Sequence, residues 1–151
     1  MQYLADCPLT YANETFCRQT GYTANELIGR NCRFLQCAES SRDVIKAMGD
    51  SFKNMSKRRR AGQTDFGAQT FRIINAKKDG TRFLNLVHMA PIYDANDKLV
   101  RIMGCQFGLA LVAGSQMAEL FQGVLTEAEL PALANQSRLV SFFYVQMKIL
   151  Q

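Results

Sequence analysis

The sequence has one histidine, and its five cysteines include no Cys-x-x-Cys pair. A single histidine leaves no arguable Ser-His-Asp set, and unpaired cysteines with one histidine do not predict a zinc site. There is no glycine-rich phosphate loop, and no apolar run approaches the length of a membrane span. No signal peptide precedes the first strand-like residues, so the odd number of cysteines predicts a reducing, cytoplasmic environment.

The composition, with 48% hydrophobic and 21% charged residues, is that of an ordinary globular chain. Its 151 residues predict one domain with appendages and a substantial core. Part of the net charge of +5 lies in the run Lys-Arg-Arg-Arg at residues 57–60, within an apparent loop at 56–66. A solvated loop is the favoured interpretation. The alternatives are that the run supplies a charge that binds a phosphate, or that it contacts acidic lipid or nucleic acid. We expect no specific nucleic-acid partner and no membrane contact through this run.

Periodicity predicts short helices followed by a meander of three strands. The predicted strands are residues 9–13, 69–75, 81–92 and 99–109, and the predicted helices are 14–20, 23–28, 32–35 and 41–52. This order indicates an α+β domain with an antiparallel sheet and short helices over one face. His88 alternates with Val87 and Met89, so its side chain is predicted on the opposite sheet face.

The most informative segment is residues 29–36, Gly-Arg-Asn-Cys-Arg-Phe-Leu-Gln. Arg33 can hold a phosphate through paired hydrogen bonds, and Asn31 and Gln36 can donate to and accept from a heteroaromatic ring. Cys32 supplies a nucleophile. Over all eight positions the segment resembles the signature of LOV domains, the flavin-binding blue-light sensors of the PAS superfamily. The resemblance extends over about residues 3–112.

The resemblance implies a light-driven switch, not an enzyme. The family's chromophore is FMN, with FAD as an alternative. Light drives the thiol, here Cys32, to form a reversible bond with flavin carbon C4a. Gln106 would sense protonation of flavin N5 and relay it along the last strand. The cofactor-binding residues implied are Asn31, Arg33, Leu35, Gln36, Ile45, Met48, Asn75, Asn85, Val87, Met89, Ile102, Gly104 and Gln106, with Phe52 as a further apolar wall.

Two departures from the family are visible. The family's first strand lies in the middle of its sheet and would precede Tyr3, so it appears truncated here, and residues 139–145 are a candidate substitute. The family's second phosphate arginine is matched by Gly49, and Lys46 or Lys53 would have to replace it.

The resemblance divides the chain into a LOV/PAS core, residues 1–112, and a helical or partner-binding extension, residues 113–151. Residues 115–125 have helical apolar spacing, whereas residues 139–150 fit a buried helix, a strand or a partner-binding surface. A homodimer or an effector domain could contact the extension. Two other functions stay open: a flavin-free PAS-like interaction module, and a thiol-based redox sensor that uses Cys32.

Overall fold

The structure is a computed structural model that describes residues 7–60, 68–110, 122–125 and 142–148. Within these ranges the elements are, in chain order, β1 (Leu9–Ala12), α1 (Glu14–Thr20), α2 (Ala24–Leu27), a 3-10 helix (Cys32–Leu35), α3 (Arg42–Arg60), β2 (Gln69–Ala76), β3 (Arg82–Tyr93), β4 (Leu99–Ala110), β5 (Gly123–Leu125) and β6 (Phe142–Lys148).

The short helices begin and end where the sequence predicts. Asn13 caps α1 by accepting a hydrogen bond from the Phe16 amide at 2.9 Å, and Gly21 ends it in the left-handed region with φ of 80°. At the start of α2 the carboxylate of Glu26 accepts from the Thr23 amide at 2.9 Å, which is half of a capping box.

Helix α3 is longer than predicted. It begins after Ser41, whose hydroxyl accepts from the Val44 amide, but it ends at Arg60 and not near Phe52. The prediction of a loop from residue 56 is therefore wrong for residues 56–60. Lysine and arginine are good helix formers, and the next glycine is at position 62. Among the helices of the described ranges, none is long and apolar enough to cross a membrane.

The six strands form one antiparallel sheet in the order β1-β6-β4-β3-β2-β5. Strands β2 and β3 pair across the turn that ends at Gly80, with Ile73 opposite Asn85. Strands β3 and β4 pair with Val87 opposite Gln106. The helices and the sheet enclose a single hydrophobic cluster that includes Phe16, Leu27, Phe71 and Ile102, all fully buried. The predicted α+β fold class is confirmed.

The extension contributes strands to this sheet wherever the structure describes it. Gly123–Leu125 pairs with β2 and forms the edge of the sheet, so a helix through residue 125 is wrong at these three positions, and residues 115–121 lie outside the described residues. Phe142–Lys148 lies between β1 and β4 and pairs with both. The prediction that residues 139–145 supply a strand of this sheet is confirmed, and the strand is interior and shifted by three residues from its predicted bounds. Backbone pairing on two sides favours the strand over the helix in this apolar segment.

The central place of β6 predicts a large effect of proline at Val145, which is opposite Ala12 on one side and Gly104 on the other. Proline removes the amide donor and distorts the strand, so Val145→Pro should cost about 3 kcal/mol and lower Tm by roughly 6–12 °C. Val145→Ala keeps the amide and serves as the matched control. Equal melting temperatures of the two variants in circular dichroism would show that β6 is not an interior strand.

Candidate flavin site

The Cys32 segment is anchored to the start of the sheet by backbone bonds. The Leu9 amide donates to the Arg30 carbonyl, and the Gly29 amide donates to the Leu9 carbonyl, each at 2.8 Å. Gly29 has a φ of 86°, which permits this sharp return of the chain. The segment before the 3-10 helix is therefore fixed against β1.

The side chain of Asn31 fixes the start of the 3-10 helix through both of its polar atoms. Its Oδ1 accepts from the Arg33 amide at 2.9 Å and caps the helix, while its Nδ2 donates to the Cys7 carbonyl at 3.3 Å. The guanidinium of Arg30 lies 4.7 Å from the ring centre of Phe34 and steadies the outer side of the segment. Cys32 is thus presented from a rigid turn.

Cys32 lines a cavity of about 280 Å³ that lies between this segment, α3 and the sheet. All but one of the predicted cofactor-binding residues line it, together with Cys32 and Phe52. The exception is Ile102, which is fully buried in the core and is not among the lining residues. The lining residues that sequence reasoning did not assign to the pocket wall are Cys7 and Ile73. Ile73 was detectable, because strand alternation places it on the same face as Asn75.

Three buried amides from three strands meet in the cavity; we call Asn75, Asn85 and Gln106 the amide triad. Their residues are 4%, 1% and 3% exposed. The Nδ2 group of Asn85 donates to Asn75 Oδ1 at 2.8 Å and to Gln106 Oε1 at 2.7 Å. The Nδ2 group of Asn75 in turn donates to the Ile74 carbonyl at 3.0 Å. The predicted cross-strand arrangement of Asn75 and Asn85 is present.

One acceptor in the amide triad has no partner. The Oδ1 atom of Asn85 is buried and accepts no hydrogen bond from any described residue. An unpaired buried carbonyl oxygen costs about 1–3 kcal/mol, so the site favours a ligand that brings an N–H donor. An imide such as that of a flavin ring carries both an N–H donor and carbonyl acceptors. The chemistry of the amide triad therefore fits a flavin.

The thiol of Cys32 is buried although part of the residue reaches the surface. Burial raises the pKa of this thiol to about 12, and a hydrogen bond with Gln106 partly opposes the rise. The thiol is therefore neutral at physiological pH. Its contact with Gln106 connects the nucleophile directly to the amide triad.

The rim of the cavity carries two cationic side chains, Arg33 and Lys53, both exposed. Gly49 also lines the cavity, at the position where the family has its second arginine. Lys53 approaches Asp50 at 3.5 Å and still reaches the rim. Lys46 instead pairs with Asp50 at 2.7 Å and does not line the cavity, so Lys53 is the better substitute.

Other singled-out residues lie away from the site. His88 shares a hydrogen bond of 2.8 Å with the hydroxyl of Thr70, its partner across the strands, and does not line the cavity. Cys37 and Cys105 are also outside the lining. Among the described residues, no group of three or more histidine, cysteine or acidic side chains could hold a metal ion.

Comparison with known proteins agrees with this fold. The PAS domain family matches residues 3–107. Phototropin-2 of Oryza sativa subsp. japonica is 38% identical over 101 residues, 67% of this chain. Blue-light-activated histidine kinase 1 of Erythrobacter litoralis is 32% identical over 123 residues, 81% of this chain.

The chain belongs to the PAS domain family. Within that family its similarity is to LOV domains: the solved LOV domain of the Erythrobacter litoralis EL346 blue-light activated histidine kinase is 26% identical, with a TM-score of 0.57 over 69% of this chain and 85% of that one. The LOV resemblance of the sequence is confirmed. The chain spans 10% of phototropin-2 and 31% of the kinase.

The raised pKa of Cys32 predicts slow alkylation in the folded protein. At pH 8 a thiol with a pKa near 12 has roughly 10³-fold less thiolate than an ordinary cysteine, and thiolate is the reactive form. Iodoacetamide labelling followed by peptide mass spectrometry should show Cys32 labelled at least about a hundredfold faster in denaturant than in buffer. An equal rate in the two conditions would contradict the burial of the thiol.

Proposed function

We propose that this chain is a blue-light sensory flavoprotein in which Cys32 is the photoreactive group. The observation that carries the proposal is that a buried neutral thiol and the amide triad, with its unpaired Asn85 acceptor, line one cavity. Relatives with the same fold include proteins named as blue-light-activated kinases and phototropins, which supports the light-sensing role.

FMN is the flavin that the rim favours. Arg33 can bind a terminal phosphate with its planar fork, and Lys53 can add a second positive charge. The apolar walls, Leu35, Met48 and Val87 among them, suit the flat ring, and Gly104 adds no side chain to the wall. Asn75 and Asn85 would then orient the polar edge of the ring.

When bound, the flavin would supply the absorption of blue light and the electrophilic carbon to which the Cys32 sulfur bonds. The protein holds the thiol protonated in the dark, which keeps it unreactive until light arrives. The 3-10 helix fixes the position of the sulfur, and the cavity shields it from competing reactions. The proton that leaves the Cys32 sulfur would be taken up by flavin N5, so this step would need no external base.

Gln106 is the proposed relay residue. Its amide accepts a hydrogen bond from Asn85 and lines the same cavity as Cys32, so a change in the protonation of the ring edge can rotate it and exchange donor for acceptor. Its strand, β4, continues to Ala110, and its register partner on β6 is Phe143. The extension, residues 113–151, is the proposed contact for a second copy or an effector domain.

A thiol-based redox sensor is less well supported. Peroxide reacts with thiolates, and a thiol whose pKa is raised to about 12 by burial is a poor sensor of this kind. A flavin-free interaction module would gain nothing from an unpaired buried acceptor in the cavity.

The first test is the absorption spectrum before and after blue light. The purified chain should be yellow, with a structured blue band that bleaches reversibly. Cys32→Ala should keep the bound flavin and its fluorescence but lose the bleaching, because the sulfur nucleophile is gone. Cys37→Ala, outside the cavity, is the matched control and should bleach as wild type. Persistent bleaching in Cys32→Ala would assign the chemistry to another group.

The second test separates phosphate binding from ring binding. Arg33→Ala removes a charge-assisted bond of about 1.5–3 kcal/mol and should weaken FMN by roughly ten- to a hundredfold. Riboflavin, which has no phosphate, should be affected far less. Lys46→Ala removes a cation that is paired with Asp50 away from the cavity and should leave both affinities unchanged. Equal losses for FMN and riboflavin in fluorescence titrations would remove Arg33 from the phosphate site.

A further inference from the structure

Gln122 binds three backbone groups with a single side chain. Its Oε1 accepts from the Ser41 amide at 2.7 Å and from the Ile74 amide at 3.0 Å. Its Nε2 donates to the Glu39 carbonyl at 2.9 Å. These groups belong to β2 and to the segment between the 3-10 helix and α3, so one residue of the extension joins two walls of the flavin cavity.

The bond to Ile74 continues the pairing of β5 along the edge of β2. Gly123, Val124 and Leu125 are opposite Arg72, Phe71 and Thr70 on β2, and the Gln122 side chain takes the next edge position. An open strand edge exposes unpaired amides, and this side-chain contact satisfies the Ile74 amide, which lies beyond the residues of β2 that β5 pairs with.

Beyond Ile74 the edge is closed from the other direction. The Ser40 hydroxyl donates to the Ile74 carbonyl, and Gln36, which lines the cavity, bridges to Asn75. Both backbone groups of Ile74 are therefore held by side chains. This is the point at which the extension and the cavity wall meet.

A continuous series of hydrogen bonds links the cavity to Gln122. Gln106 accepts from Asn85, and Asn85 also donates to Asn75. Asn75 donates to the carbonyl of Ile74, and the amide of the same residue donates to Gln122. The series crosses β4, β3 and β2 and ends on the extension. It does not pass along the covalent chain that leads from β4 into the extension.

We propose that Gln122 is a positioning residue that couples the flavin cavity to the extension through β2. The proposal rests on the light-sensing function proposed above. When Gln106 or Asn85 turns toward a bound ring, Asn75 redistributes its bonds and the Ile74 peptide shifts. Gln122 transmits that shift to β5 and so loosens or tightens the extension at this edge. This route is separate from the one along β4.

The side-chain chemistry of glutamine suits this role. Two amide donors and one carbonyl acceptor must be satisfied by one group, and a primary amide of this length offers both functions. Gln122→Met removes every hydrogen bond at similar volume. Gln122→Asn keeps the amide but shortens its reach. Gln122→Glu keeps the acceptor for Ile74 and Ser41 and loses only the donor to Glu39.

The test is amide hydrogen exchange on the full chain with FMN, measured by NMR in the dark and under blue light. In the dark, Gln122→Met and Gln122→Asn should speed exchange of the Ile74 and Ser41 amides by at least about fivefold. In the light, wild type should change exchange at residues 122–125, and both variants should lose that change while still bleaching. Gln122→Glu should keep the light-induced change at residues 122–125. Val124 is half exposed on β5, so the control variant Val124→Ala should behave as wild type.

The outcomes separate this proposal from the function on which it rests. If wild type fails to bleach, the light-sensing function is wrong. Unchanged dark exchange of the Ile74 amide in the variants would refute the hydrogen bond from Ile74 to Gln122. If wild type bleaches but residues 122–125 do not respond, the coupling is refuted. A full response in Gln122→Met or Gln122→Asn also refutes it, as does failure of Gln122→Glu to keep the response.

Discussion

The burial of three amide side chains on adjacent strands is the constraint on which the rest of this structure depends. Asn75, Asn85 and Gln106 are each less than 5% exposed, and burying an amide without hydrogen bonds is costly. They bond to each other, which fixes the register of β2, β3 and β4, yet one acceptor on Asn85 stays unpaired. The same three side chains therefore specify the sheet and leave a demand that only a polar ligand can meet. Stability and binding are joined at one set of atoms.

The thiol follows the opposite rule. Burial of Cys32 disfavours its anion, so its pKa rises and it stays protonated. A reactive dark-state thiol would need the reverse environment. The backbone ties from Leu9 to the Cys32 segment make the sulfur's position independent of its own weak interactions. Under the proposed function, reactivity would come from the excited flavin, and the protein would contribute position and protection.

Much of the fold and the site could be predicted from sequence because local signals agree. Asn13, Gly21 and the Thr23–Glu26 pair mark helix ends, and the resemblance to LOV domains that the Cys32 segment carries identifies nearly the whole cavity wall. Gln122 could not be found in this way. It stands in a segment with helical apolar spacing, and its partners are backbone amides 81 and 48 residues away in sequence. Long-range pairing overrides the helical apolar spacing in β5, and in β6 it selects the strand among the alternatives that the apolar sequence leaves open.

The strand order of the sheet shows where the extension contacts the core, which its sequence does not show. Strands β4, β3 and β2 carry the amide triad, and the two described parts of the extension flank them, β6 beside β4 and β5 beside β2. Gln106 is opposite a residue of β6, and Ile74 is bonded to the residue that directly precedes β5. Any movement of the amide triad must therefore be accommodated by strands of the extension on both sides. Because β6 also completes the centre of the sheet, the extension cannot be released there without opening the core. The edge at β5, held by three paired residues and one glutamine side chain, is where a change of a few hydrogen bonds can alter the extension at the smallest cost.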